Sequence, residues 1–293
     1  MAEIIYLNGQ LIPRSKAKLS PFDHGFLYGY GLFETMRAYN GHVFRLDRHL
    51  ARLRRSAQSL DLANRLAAFD LEAACTKTLE ANKLKGARLR LTVSAGEGDM
   101  TPDPSTCSSP TVLITAQNLV PLPAGKYETG FKAALSSLRR NSQSPLSRLK
   151  STCYMENILA RMAAKAAGCD EAIFLNEQGY LTEGSSTNIF LVSNGELITP
   201  CFESGVLPGI TRDAVLEIAR TSNIKATERW VQLNELIEAQ EAFLTNSILE
   251  LMPLVSVESR PIGTGKPGKL TGDLLFAYRK LVDEAVELDR RKP

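Results

Sequence analysis

No apolar run in the 293 residues approaches the roughly 18 that a bilayer-spanning helix needs, so no membrane partner is expected. The opening MAEIIYLNGQ lacks the basic-then-apolar pattern of a signal peptide, and the expected setting is the cytoplasm. Charge of one sign is scarce too. Thirty-five Lys and Arg against 32 Asp and Glu leave +3, and outside RLDRHLARLRR the basic residues are scattered. That excludes the electrostatic footprint of a nucleic-acid binder. The five cysteines, Cys75, Cys107, Cys153, Cys169 and Cys201, are odd in number and contain no CxxC pair, which argues against a disulfide framework and a zinc site. His24, His42 and His49 have no second ligand at metal spacing, so no metal is expected. There is no internal repeat and no biased tract; 44% hydrophobic and 23% charged residues describe an ordinary globular enzyme.

A chain of this length exceeds most single cores, and its patterning reads as two α+β domains. In the first, IIYLNGQLI and TMRAYNGHVF each set Asn-Gly between apolar runs, the strongest short-range hairpin signal. Asp47 is the expected cap of a helix carrying Leu50, Leu53 and Leu60, and LEAACTKTLEANKL continues as a second helix. ARLRLTVSA and SPTVLITAQ read as partner strands. These elements make a small domain over 1–119. NLVPLPAGKYETG, with two prolines and two glycines, predicts an interdomain linker over 120–128. A large domain over 129–293 then alternates strands such as FKAALSSL, EAIFL, NIFLVSNGELITP and EAFLTNS with helices near Cys153–Ala167, at ITRDAVLEIA and from Thr271.

Three features bear on chemistry. In GVLPGITRDAVLEIA, Gly209 admits close approach and a helix opening near Thr211 offers unpaired N–H groups, an anion site; an ordinary turn with Thr211 as N-cap explains the same residues equally well. Glu183 ends a strand-like run before a Gly-Ser-Ser turn. Lys150 stands just ahead of a helix, where a side chain is not committed to a helical face; an amine that attacks a carbonyl must be neutral, which burial or nearby cations such as Arg148 promote. A lysine, a phosphate site and a lone carboxylate, without a metal cluster, are the inventory for a pyridine-aldehyde cofactor. HGFLYGYGLFE lacks the context of a nucleotide loop; its Gly29 and Gly31 read as a tight strand entry that brings Tyr28, Phe33 and Glu34 to a cleft.

In combination, FLYGYGLFETMRAYNG, HLARL, LKSTCYMENILA, YLTEGSSTNIF, LPGITRD and TNSILELMPL resemble the fold-type IV pyridoxal-phosphate enzymes: branched-chain aminotransferases, D-amino acid aminotransferases and aminodeoxychorismate lyases. The resemblance runs from about residue 4 to about 283. It implies an α+β, two-domain, D-amino acid aminotransferase-like fold with the cofactor site between domains, and a homodimer. It implies that Lys150 is the Schiff-base lysine of pyridoxal 5'-phosphate and carries the proton at Cα, that Tyr154 bonds the cofactor's phenolic oxygen, and that Glu183 keeps the pyridine nitrogen protonated. Arg52, Ile210, Thr211 and Ser247 match the phosphate clamp, and Leu207 the residue packed on the ring. Tyr28, Phe33, Arg90 and Ile248 match substrate-lining positions. The implied activity is transfer of an amino group from an amino acid, a branched-chain L-amino acid foremost, to a 2-oxo acid such as 2-oxoglutarate or pyruvate. Aminodeoxychorismate lyase is one alternative and a D-amino acid or (R)-amine transaminase another. Ala95, where Bacillus-type D-amino acid enzymes carry an arginine, counts against that specificity. Arg88 and Arg90 on one strand suit a second carboxylate or an exposed edge. NSILEL departs from the branched-chain enzymes' GTAAEI. The loop near 96–110 is expected to set pocket width.

Overall fold

A computed structural model describes residues 3–290. They form two compact units, one of residues 3–120 with Leu149–Cys153 and 282–290, the other of Pro121–Arg148 and Tyr154–Leu281.

The first unit is built on a six-stranded antiparallel sheet of β1 (Ile4–Leu7), β2 (Gln10–Pro13), β3 (Gly31–Tyr39), β4 (His42–Val43), β5 (Ala87–Ser94) and β6 (Thr111–Asn118), in the order β2-β1-β6-β5-β3-β4. Both Asn-Gly pairs are hairpin turns with positive φ at each residue: 48° and 94° at Asn8-Gly9, 52° and 87° at Asn40-Gly41. Alternate residues of the central strands, among them Leu32, Met36, Leu89, Leu91 and Ile114, are sealed in one core with Leu50, Leu53 and Ala57 of α2 and Leu71 and Leu79 of α4. The helices are α1 (His24–Tyr28), α2 (Leu46–Ser59), α3 (Ala63–Leu66) and α4 (Leu71–Ala81). Asp47 is not the cap of α2. The chain leaves β4 too tightly for that, so Arg45 takes the cap position in the left-handed region at φ 54°, and Asp47 lies in the first turn, where its charge suits the positive helix end.

The second unit holds a mixed sheet of β7 (Phe131–Arg140), β8 (Glu171–Asn176), β9 (Leu181–Gly184), β10 (Asn188–Ser193), β11 (Glu196–Pro200), β12 (Ala226–Arg229), β13 (Glu241–Asn246) and β14 (Glu250–Val257), in the order β12-β11-β10-β13-β14-β7-β8-β9, with β15 (Arg260–Pro261) paired to β14. The runs β8, β10 and β14 are buried almost throughout, which is why they read as continuous apolar stretches rather than alternating ones. Around the sheet come α5 (Ala124–Thr129), α6 (Met155–Ala166), α7 (Ile210–Thr221), α8 (Leu233–Ile237) and the start of α9 (Lys269–Arg290).

The grouping does not follow chain order alone. Residues 120–128, read from the sequence as linker, contain the start of α5. Leu149–Cys153, which fall in the large-domain range by position, group with the first unit because they add to the entry of β3. Phe33 N–H donates to the Lys150 carbonyl and Thr152 N–H to the Gly31 carbonyl, both at 2.9 Å, and Leu32 bridges Ser151.

Candidate active site

In the first unit the added segment carries Lys150. Its Nζ stands 4.7 Å from the centre of the Phe33 ring, and the Arg90 guanidinium is 3.9 Å from the same ring. Thr152 Oγ1 donates to the Gly29 carbonyl at 2.7 Å, fixing the segment a second time. Gly29 makes this approach possible: it has φ 67°, and a Cβ there would sit 2.9 Å from Cys153 Sγ.

Phe33 and Glu34 do not share a face, as successive strand residues cannot. Glu34 points into the core, 1% exposed, and not to a cleft. Its Oε1 accepts from Arg52 Nε at 2.7 Å, and its Oε2 from Arg52 at 2.5 Å and from His49 Nδ1 at 2.7 Å. Burial pushes the Glu34 carboxyl up, but the Arg52 charge and the His49 hydrogen bond outweigh it and hold it at about 2. Burial moves His49 the other way, below its usual 6.5, so that it is neutral near pH 7. A forked grip of this kind fixes the plane of the Arg52 guanidinium. Arg52 was named in the sequence as a phosphate-clamp match, but its pairing with Glu34 and His49 was not; the signal for that was the i, i+3 spacing of His49 and Arg52 on α2.

Tyr28 is half-exposed and its hydroxyl donates to the Met100 carbonyl, while His24 Nε2 lies 2.8 Å from the Asp99 carbonyl. The 96–110 loop is thereby fastened to α1. Arg37 is directly opposite Arg88, and Arg90 opposite Thr35, so Arg37, Arg88 and Arg90 share the sheet face that holds Phe33.

In the second unit Glu183, 8% exposed, is the last residue but one of β9. Its Oε2 accepts from Leu207 N–H at 3.0 Å and from Asn188 Nδ2 at 3.4 Å, and Arg140 lies 3.4 Å from Oε1. Asn188 also donates to the Leu207 carbonyl at 2.9 Å. One amide therefore ties the glutamate to the loop entering α7. Gly209 closes that corner, since a Cβ on it would lie 1.9 Å from Asn188 Oδ1. Thr211 is not the cap of α7. Gly209 is, with no side chain to take up the first-turn N–H groups, and Ile210 and Thr211 follow, 8% and 3% exposed. Tyr154 occupies the cap position of α6 and donates to the Ser185 carbonyl at 3.0 Å. Ser247 and Ile248 sit in a turn shaped by Asn246, whose Oδ1 accepts from Ile248 N–H at 2.9 Å and Leu249 N–H at 2.7 Å. Asn188 and Arg140 were missed in the sequence because a single Asn or Arg in a strand has no distinguishing pattern.

Comparison with known proteins defines the class first. The chain has a TM-score of 0.89 against the crystal structure of a T.th. branched-chain amino acid aminotransferase with pyridoxamine 5'-phosphate, at 29% identity, covering 96% of this chain and 94% of that one. The fold is therefore the α+β architecture of the fold-type IV pyridoxal-phosphate enzymes. The amino-transferase class IV family model matches residues 31–257, and the chain belongs to that family. A Methanocaldococcus jannaschii protein provisionally named branched-chain-amino-acid aminotransferase is 39% identical, over 94% of this chain and 96% of its own length. Aminodeoxychorismate lyase of Bacillus subtilis is 35% identical, over 97% and 96%.

The cofactor of this class is pyridoxal 5'-phosphate, and the residues present fit it. A phosphate needs N–H donors that no side chain has claimed and a backbone close enough to touch, and Gly209 at the uncapped start of α7 offers both. A protonated pyridine nitrogen needs a fixed anionic partner; Glu183 is held by a backbone N–H and by Asn188.

Proposed function

We propose that this chain transfers the amino group of an amino acid, a branched-chain L-amino acid foremost, to a 2-oxo acid such as 2-oxoglutarate or pyruvate. The observation that carries the reading is Phe33, an apolar ring with the amine of Lys150 on one contact and the guanidinium of Arg90 on another. An aliphatic side chain is suited by the ring and a carboxylate by the cation. The names of the relatives point the same way.

Pyridoxal phosphate, when bound, supplies an aldehyde for an amine and a ring that withdraws electrons from Cα. In our reading Lys150 would hold the cofactor at its aldehyde carbon and, once freed by the substrate's amine, its Nζ would carry the proton at Cα. Glu183 would keep the proton on the ring nitrogen, Tyr154 would orient the phenolic oxygen, and Leu207 would pack on the ring. Arg52, with Ile210, Thr211 and Ser247, binds the phosphate. Tyr28, Phe33, Arg90 and Ile248 line the substrate. We further propose a cytoplasmic homodimer. The support for the dimer is the face of α6 on which Met155, Ile158, Leu159 and Met162 stand exposed, and free thiols at all five cysteines suit a reducing compartment.

The B. subtilis relative and the three arginines on one sheet face favour a second reading, aminodeoxychorismate lyase, whose substrate carries an extra carboxylate. Mixing the holoenzyme with L-leucine, L-glutamate, D-alanine or an (R)-amine, one at a time, while following cofactor absorbance tests the first reading; a spectrum unmoved by every donor would sink it. Pyruvate and 4-aminobenzoate released from aminodeoxychorismate would select the second.

A further inference from the structure

We infer that Glu171, which none of the readings above uses, is a positioning residue: it builds the Ser185–Thr187 turn, and through that turn holds Tyr154 and the Ser247–Ile248 turn in place. The inference rests on the functional reading of those residues as cofactor and substrate contacts.

Glu171 opens β8 and is 1% exposed. A carboxylate so deep needs donors for both oxygens, and nearly all of them come from one place. Oε1 accepts from Ala172 N–H at 2.9 Å, from Ser185 N–H at 3.2 Å and from the Ser185 hydroxyl; Oε2 accepts from the hydroxyls of Ser186 and Thr187, each at 3.3 Å. Arg161 lies 3.8 Å away. Three consecutive residues of the turn that follows Glu183 are therefore wrapped on one side chain. Gly184 admits the wrap, because a Cβ there would fall 2.1 Å from Thr187 Oγ1 and 3.2 Å from Glu171 Cγ.

With its side chains turned inward on Glu171, the turn presents its carbonyls elsewhere. The Ser185 carbonyl accepts from the Tyr154 hydroxyl at 3.0 Å and from Asn157 Nδ2 at 2.7 Å. The Ser186 carbonyl accepts from Asn246 Nδ2 at 3.0 Å, and the other end of that amide shapes the turn bearing Ser247 and Ile248. One buried carboxylate thus governs two segments that carry site residues. A purely structural strand-end glutamate would have no such outlets.

Geometry and charge make opposite predictions for two conservative variants. Glu171→Gln keeps the reach: its oxygen accepts from the backbone N–H groups, while its amide donates to hydroxyls that rotate to accept. Glu171→Asp keeps the charge but withdraws it from the turn. The measurement is pyridoxal phosphate affinity of the apoenzyme by fluorescence quenching, with borohydride trapping on Lys150 as a check. We expect Gln within about threefold of wild type, Asp weaker by about tenfold and Ala by at least as much. In a cycle with Tyr154→Phe the losses should be clearly less than additive, since both changes break one chain of contacts. Binding by Gln weaker than by Asp, or an additive cycle, overturns the inference, and the Gln–Asp order decides it even if the Ala variant does not fold. A wild-type protein that traps no cofactor on Lys150 would instead sink the functional reading, and this inference with it.

Discussion

The two units each bury a strand glutamate beside cations, and treat it differently. Glu34 of the first unit is 1% exposed, and bonds of 2.5 to 2.7 Å commit it to Arg52 and His49. Glu183 of the second is 8% exposed and held by contacts of 3.0 to 3.4 Å from a backbone N–H, an amide and Arg140. A carboxylate gripped by a guanidinium fork is an anchor, spent on fixing its partner. One held by a backbone N–H, an amide and a single guanidinium contact at 3.4 Å is gripped less closely, and its charge is less fully committed to one partner. In our reading the same residue type serves as scaffold in one place and as the cofactor's partner in the other, and the donor set with its distances tells them apart.

Variants in each unit sharpen that contrast. Lys150→Ala should have the largest effect, reducing single-turnover transfer by ~10⁴-fold or more while leaving the folded state intact, as read by cofactor absorbance and thermal melting. Retained turnover would move the chemistry away from the Phe33 corner. Next comes Glu34→Gln, which leaves Arg52 without its buried counter-charge; a loss of about 3–5 kcal/mol in urea unfolding is expected. If unfolding is unchanged and only cofactor binding suffers, Glu34 is no anchor. Gly209→Ala places a methyl against Asn188 and should weaken pyridoxal phosphate binding by roughly tenfold through a strain of about 1–3 kcal/mol, with little change in stability beyond that.

The smallest effect is the pH dependence carried by the buried Glu34 and His49 of the first unit. His49 has a folded-state value below 6.5, so the unfolded chain takes up its proton first and stability falls as pH drops below 6.5. Glu34, depressed from 4.5 to about 2, adds a loss that develops as pH falls from 4.5 toward 2. Both slopes have the same sign. Unfolding midpoints between pH 7 and 3 should decline in both steps, and His49→Gln should remove the upper one.

How much of this the sequence disclosed depends on the range of the interaction. Asn8-Gly9 and Asn40-Gly41 were legible because a two-residue turn is a local demand on φ. The β8 and β10 strands were legible because burial on both faces leaves a continuous apolar run. Lys150 and Glu183 stood out through the company of Tyr154 and the α7 start, and by resemblance, rather than on their own. What escaped was decided across the chain. Arg45 displaced Asp47 as cap because of how β4 delivers the backbone, and Gly209 displaced Thr211 because α7 already begins at Ile210. Strand alternation separated Glu34 from Phe33, which the sequence reading had assigned to one side. Glu171 was invisible: at the head of EAIFL it resembles the polar edge of an apolar strand, and its donors come from 14 to 16 positions later.

The segment that carries Lys150 has a history in time as well as a place in space. Thr152 meets Gly29 across 123 positions of chain, so the contact that seats the amine is among the least local in its unit and costs loop closure before it returns anything. On a ribosome, β3 is synthesised long before that segment exists. A nascent chain halted after Val120 lacks Lys150 altogether, and the contact between its amine and Phe33 is a late stitch, made only after roughly half of the protein has been synthesised.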